Sequence, residues 1–133
     1  LGEKLIEQNT LNNARATILR TSWLIGPIGN NFVTKMLRLH SEKDLINVVS
    51  DQIGAPTFTK DLAEVCWDLV KLKNPKGSSL TLHWSDFGVA SWYDLAEATG
   101  EIGLELGILK KRAEESADNG PKIVRNDPKQ STT

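Results

Sequence analysis

Two short polar segments of this 133-residue chain hold the residue types that binding pockets use. The first, Trp23-Leu-Ile-Gly-Pro-Ile-Gly-Asn-Asn31, joins an aromatic plane to a Gly/Pro loop and two carboxamides. The second, Asp51-Gln-Ile-Gly-Ala-Pro-Thr57, sets a carboxylate, a carboxamide and a hydroxyl around Gly54 and Pro56. Each follows a stretch that reads as a strand. Ligands of open α/β sheets bind beyond the carboxyl ends of the strands, so both segments are candidates for one pocket lined by amides and hydroxyls. The competing use is local: Asn30 and Asn31 suit a helix cap, and Gln52 suits a turn. Spacing alone leaves both uses open.

Other residues with catalytic precedent read as structural. Gly100-Glu-Ile-Gly103-Leu-Glu-Leu-Gly107 is the one cluster resembling a phosphate loop. It lies late in a helical stretch rather than between a strand and a helix start, and Glu101 and Glu105 would repel a pyrophosphate. Its glycines are expected to allow close helix packing or to mark a helix end. Tyr93 has Glu97 four residues on and no cation beside it, so it reads as an aromatic packed in a first helical turn. His40 and His83 have no partners at metal-ligand spacing; they read as surface or strand residues, and no metal site is expected. Cys66, the single cysteine, excludes an internal disulfide and reads as an inert core thiol in a reducing, cytoplasmic compartment.

The elements that must position these groups alternate in type. Leu1 to about Asn9 reads as the end of a helix, stopped by the polar run Asn9–Asn13. Ala14–Ile25 is rich in β-branched and large apolar residues and reads as one buried strand entering the Gly26–Gly29 loop. A helix follows over Phe32–Leu39 with Asn30-Asn31 as cap, then a strand over Leu45–Val49. From Thr59 as cap, Leu62, Val65, Cys66, Leu69, Val70 and Leu72 recur at helical spacing, the clearest amphipathic pattern in the chain. Asn74–Ser79 reads as a turn and Leu80–Trp84 as a half-buried strand. Ser91 and Asp94 cap a last helix that reaches Leu109. Residues 114–133 are polar and read as a disordered tail, an extended arm or a divergent end. The order predicts α/β layering.

Composition bounds the partners. Sixteen Lys and Arg against seventeen Asp and Glu give a net charge of −1, which offers no basic surplus for a nucleic acid backbone and no polybasic run for a membrane surface. Residues 1–113 carry 13 basic and 13 acidic side chains, so the balance belongs to the part expected to fold. The longest nearly apolar stretches, Ala63–Val70 and Ser22–Ile28, fall short of the roughly 20 residues of a membrane span. Leu rather than Met stands first, and the segment behind it reads as helix rather than signal peptide, as expected of a chain cut from something longer.

Four blocks in order, Arg20–Arg38, Asp51–Thr57, Asp61–Ala63 and Ser91–Ala96, closely resemble the dTDP-4-dehydrorhamnose reductase family of extended short-chain dehydrogenases/reductases. The resemblance runs from Leu1 to about Ala113. It implies the C-terminal part of an NAD(P)-binding, Rossmann-like fold, including the substrate-binding region, with residues 114–133 lacking the Pro- and Arg-rich continuation of the family. It further implies reduction of the 4-keto group of dTDP-4-dehydro-L-rhamnose by NADPH or NADH.

The family's Gly-x-x-Gly-x-x-Gly and Tyr-x-x-x-Lys motifs do not occur here. Gly2-Glu3 matches the pair that follows the Lys, so the catalytic Tyr and Lys are expected just before Leu1 and no catalytic residue within this chain. The resemblance assigns Trp23 to the deoxysugar, Asn30, Asn31 and Phe32 to a loop over the sugar-nucleotide, and Gln52, Gly54, Pro56 and Thr57 to a loop closing the pocket. Thr21 and Ser22 are placed near the nicotinamide. Neutral donors suit hydroxyls and a pyrophosphate, and a sugar's apolar face stacks on an indole. The implied partner is a dTDP-sugar, with a homodimer of the parent enzyme left open and the isolated chain expected to be inactive. The same fold serves a regulatory subunit of methionine adenosyltransferase and other nucleotide-sugar epimerases and dehydratases. Epimerases usually carry Phe-Asn where this chain has Ser22-Trp23.

Overall fold

The computed structural model describes residues 2–9, 16–72 and 80–118. The expected polar stop after the first helix, the turn at 74–79 and the tail beyond 118 lie outside the described residues. Among the described residues, four helices, α1 (Gly2–Asn9), α2 (Phe32–Glu42), α3 (Thr59–Lys71) and α4 (Trp92–Glu105), are interleaved with eight short strands. Three strand pairs are parallel: β1 (Thr17–Arg20) with β6 (Leu80–His83), β2 (Leu24–Ile25) with β5 (Thr57–Phe58), and β3 (Leu45–Val49) with β8 (Glu114–Asp118). One pair, β4 (Ile53–Gly54) with β7 (Ala90–Ser91), is antiparallel. Parallel pairing requires crossover connections, which is why helices separate the partners in sequence.

The core gathers where α2 and α4 cover β3. Ile46 and Val48 alternate inward and pack with Met36, Ala96 and Ala113, flanked by Phe32, Leu39, Trp92 and Tyr93. Tyr93 thus packs as expected. The late glycines of α4 allow the close approach: a Cβ at Gly100 would lie 2.9 Å from the His40 ring, and one at Gly103 would lie 2.8 Å from Leu109. Gly107, at φ +69°, takes the left-handed position that ends the helix. The helix therefore stops at Glu105, short of the expected Leu109, and the chain folds Leu109 back onto Gly103.

Several expectations are corrected. The single strand expected over Ala14–Ile25 is two strands, because Trp23 adopts φ +42° and turns the chain out of the first ladder into the second. His40 is neither a surface nor a strand residue: it lies on α2, fully buried, with Nε2 3.0 Å from the Ala96 carbonyl oxygen. Cys66 is exposed, and α3 has no buried residue: Leu62, Val65 and Leu69 of its apolar stripe are only half-buried. Thr59 opens α3 rather than capping it; Phe58 holds the cap position and its N–H donates to Asp86 Oδ2 at 2.7 Å. Beyond Ala113, where the polar tail was expected to begin, Glu114–Asp118 forms β8.

Charge pairs attach β8. Arg112 donates to both Glu115 carboxylate oxygens, at 3.2 and 2.9 Å, and to Glu101 Oε1 at 3.1 Å. The Glu115 side chain is 4% exposed, and its Oε1 also lies 3.5 Å from His40 Nε2. The carboxylates around Arg112 hold its guanidinium pKa above the ordinary value. At the other end of the chain, Glu3 receives both Nε and Nη2 of Arg20 at 2.7 Å, tying α1 to β1.

Local capping sets the two helices that flank the core. Asn31 accepts from the Thr34 N–H while Thr34 Oγ1 accepts from the Asn31 N–H, and Ser91 and Asp94 form the same reciprocal box on α4. Ser91→Ala is expected to cost about 1 kcal/mol in chemical denaturation. The Ser91 backbone and hydroxyl hydrogen bonds hold the Asp94 pKa below its usual value; the Arg20 bond does so for Glu3 and the Lys111 bond for Asp44. A carboxylate whose pKa is lower folded than unfolded stabilises the fold above the unfolded value and loses that contribution as pH falls through the folded one. The denaturation midpoint is accordingly expected to hold from neutrality to about pH 5 and to fall below it. In Asp94→Asn the fall should be shallower.

Candidate functional site

The site begins at the break between β1 and β2. Positive φ is costly for a bulky residue, of order 1–3 kcal/mol, and persists only where the surroundings enforce it. Three contacts do so at Trp23. Its carbonyl accepts from the Thr57 N–H at 3.0 Å, its indole stacks on Trp92 with ring centroids 3.6 Å apart and 11° between planes, and Gly54 lies so close that a Cβ there would be 2.5 Å from Trp23 Cε2. Glycine is required at 54 by this approach. Ser22 Oγ donates to the Ala55 carbonyl at 2.8 Å and pins the second segment beneath the first.

An aromatic cluster results. Phe32, at the start of α2, is 4.6 Å from the Trp92 ring at a 40° tilt, and Trp92 Nε1 donates to Gln52 Oε1 at 3.3 Å. Four expected site residues, Trp23, Phe32, Gln52 and Gly54, are therefore brought together around Trp92. Pro56 is half-buried in the link between β4 and β5. Thr57 is fully buried, and its Oγ1 has no hydrogen-bond partner among the described residues.

The other expected residues are placed elsewhere. Both ends of the Asn31 carboxamide are engaged within the protein: Oδ1 accepts from the Thr34 N–H at 3.2 Å and Nδ2 donates to the Gly26 carbonyl at 2.7 Å. Of its two possible uses, the cap is the one observed. Asn30 lines a separate polar cleft of about 430 Å³ with Gly29, Thr34, Lys35 and Arg38. Thr21 and Ser22 line another, of about 240 Å³, with Arg20, His83, Trp84 and Ser85 at the carboxyl ends of β1 and β6. Trp92, at the centre of this cluster, is not among the expected site residues, because its place on the core-facing helix after Ser91 reads as packing; the signal present is an aromatic directly following a capping serine.

The RmlD substrate binding domain family matches residues 1–116. The chain belongs to that family. As an RmlD substrate-binding domain it is similar to the spore coat polysaccharide biosynthesis protein SpsK of Bacillus subtilis, 46% identical over 124 residues, covering 92% of this chain and 41% of that protein. It is 42% identical over 99 residues to dTDP-4-dehydrorhamnose reductase of Aggregatibacter actinomycetemcomitans, covering 72% of this chain and 33% of that enzyme. The crystal structure of dTDP-4-dehydrorhamnose reductase from Bacillus anthracis in complex with NADP superposes with a TM-score of 0.69 at 33% identity, covering 88% of this chain and 38% of that one. The RmlD domain here thus spans about two fifths or less of these relatives. Its α/β architecture is that of the C-terminal part of an extended short-chain dehydrogenase/reductase. No helix among the described residues is long and apolar enough to cross a membrane.

Proposed function

We propose that this chain is the substrate-binding part of a dTDP-4-dehydrorhamnose reductase, holding dTDP-4-dehydro-L-rhamnose while its 4-keto group is reduced to give dTDP-L-rhamnose. The observation that carries the reading is the convergence of Trp23, Phe32, Gln52 and Gly54 within a chain that matches the RmlD substrate-binding family over residues 1–116. The indole takes the apolar face of the deoxysugar, and the Gln52 carboxamide serves its hydroxyls. Asn30 and the Lys35–Arg38 edge of its cleft serve the diphosphate, where two cations suit an anion. Asn31 and Thr57 act by shaping the loops, through the α2 cap and the bond to the Trp23 carbonyl, and Pro56 by stiffening the second loop. The substrate-binding unit, placed at residues 1–113 from sequence, extends in this reading through β8.

The cofactor in this reading is NADPH or NADH. The Thr21–Ser22 cleft, about 240 Å³, suits one end of a dinucleotide rather than its full length. Ser22 Oγ has committed its hydrogen to Ala55, so its lone pairs are left to accept from a nicotinamide carboxamide. Bound NAD(P)H would supply the hydride. Proton donation falls to no residue of this chain: Tyr93, its only tyrosine, has Glu97 rather than Lys at the fourth position on and packs in the core. The same reading places the protein in the cytoplasm and allows a homodimer of the parent enzyme.

Mixing the chain with dTDP-4-dehydro-L-rhamnose and NADPH is expected to leave the nicotinamide absorbance unchanged, while dTDP-L-rhamnose changes the tryptophan fluorescence saturably and UDP-glucose does not displace it. Steady NADPH oxidation by the purified chain, or equal binding of UDP-glucose, would contradict the proposal.

A further inference from the structure

Neither face of the Trp23 indole is free. One carries the Trp92 ring, 3.6 Å away and 11° from parallel. Gly54 covers the other: a Cβ there would lie 2.5 Å from Cε2, nearer than to Cζ2 at 2.7 Å or Nε1 at 2.9 Å. An atom approaching in the ring plane would meet Cζ2 and Nε1 before the fusion carbon between them, so Gly54 stands over a face, not an edge. It cannot share the face of Trp92, because rings 3.6 Å apart are already in van der Waals contact. A sugar can stack on Trp23 only after one cover leaves.

The covers differ in freedom. Gly54 is backbone, fixed by pairing with Ala90 in β7. Trp92 is a side chain on the first turn of α4, part-exposed, and its indole N–H is held by a 3.3 Å bond to the exposed Gln52. We propose that Trp92 is a specificity-determining residue that occupies the ligand face of Trp23 in the free chain and is exchanged for the apolar face of the bound sugar. The proposal rests on the assignment of a deoxysugar to Trp23 above. Opening the stack also releases the Gln52 carboxamide for the sugar hydroxyls, so the group that held the cover becomes a ligand contact. A sugar without an apolar face cannot replace the lost stack and is disfavoured by the full cost of opening.

Stacked indoles couple as excitons and give a far-ultraviolet circular dichroism couplet. The free chain is expected to show it, and Trp92→Phe and Trp23→Phe are each expected to abolish it. Titration with dTDP-L-rhamnose should collapse the couplet along the binding isotherm. Trp92→Ala should tighten binding by roughly two- to tenfold, the equivalent of one aromatic pair, because the competing cover is gone. Trp23→Ala should lose binding. Should Trp92→Ala unfold, Trp92→Leu keeps apolar bulk and carries the same affinity comparison.

A wild-type chain without a couplet overturns the proposal. So does saturable binding that leaves the couplet intact, or binding by the Trp92 variants that is unchanged or weaker; these leave the proposed function standing. A couplet with no dTDP-L-rhamnose binding by either wild type or variant overturns the proposed function, and the exchange falls with it.

Discussion

Arg112→Met should lower the stability of the chain by about 2–3 kcal/mol, read as a lower urea midpoint at unchanged slope. The magnitude comes from what is left behind. The Glu115 side chain, 4% exposed, would lose both of its guanidinium bonds and keep His40 Nε2, 3.5 Å away, beside it. Removing one partner of a fully buried pair costs more, but Arg112 is itself 24% exposed, and the water that reaches it tempers the loss. Glu97 and Glu101 are 44% and 59% exposed and add little. Arg112→Lys keeps the charge without the two-pronged geometry and should fall between. An Arg112→Met midpoint equal to wild type would show that β8 is held by its backbone pairing with β3 alone.

Gly54→Ala should abolish the aromatic cluster while leaving the α2–α4 core in place. The added methyl would sit 2.5 Å from Trp23 Cε2, and the indole can retreat only by pushing Trp92 off its other face, where the rings stack at 3.6 Å. Trp92 is displaced, Trp23 leaves its positive φ or β4 parts from β7, at a cost of about 1–3 kcal/mol by analogy with overpacked cores. Loss of the near-ultraviolet tryptophan signal with far-ultraviolet helix content retained is the expected outcome, and ligand binding should vanish with it. A Gly54→Ala chain with wild-type tryptophan signals would show that the approach of Gly54 to Trp23 is not maintained in solution.

What the sequence revealed of this fold follows the range of the interactions involved. Asn31, Ser91 and Asp94 were legible as caps because a cap is completed within four residues. The strands at Leu45–Val49 and Leu80–His83 were legible from composition and alternation. Trp23 was not legible as the break between β1 and β2, because its positive φ depends on Thr57, Gly54 and Trp92, all distant in sequence. The apolar stripe of α3 was read correctly as a stripe, but periodicity reports which face is apolar and not what covers it; here Cys66 and Val70 are exposed. β8, Glu-Glu-Ser-Ala-Asp, carries no strand pattern, and it is the meeting of Glu115 with Arg112 and His40 that makes its place. For the candidate site, residue types singled out two loops that the fold brings into contact. They did not separate a carboxamide spent on a cap, Asn31, from one free to line a cleft, Asn30.

The most direct test of the account is a calorimetric titration of the 133-residue chain with dTDP-L-rhamnose, alongside Gly54→Ala. One saturable site per wild-type chain, absent from Gly54→Ala, is the predicted result. No saturable heat from the wild type, or the same isotherm from both, would contradict the claim that this chain holds the sugar-nucleotide on Trp23.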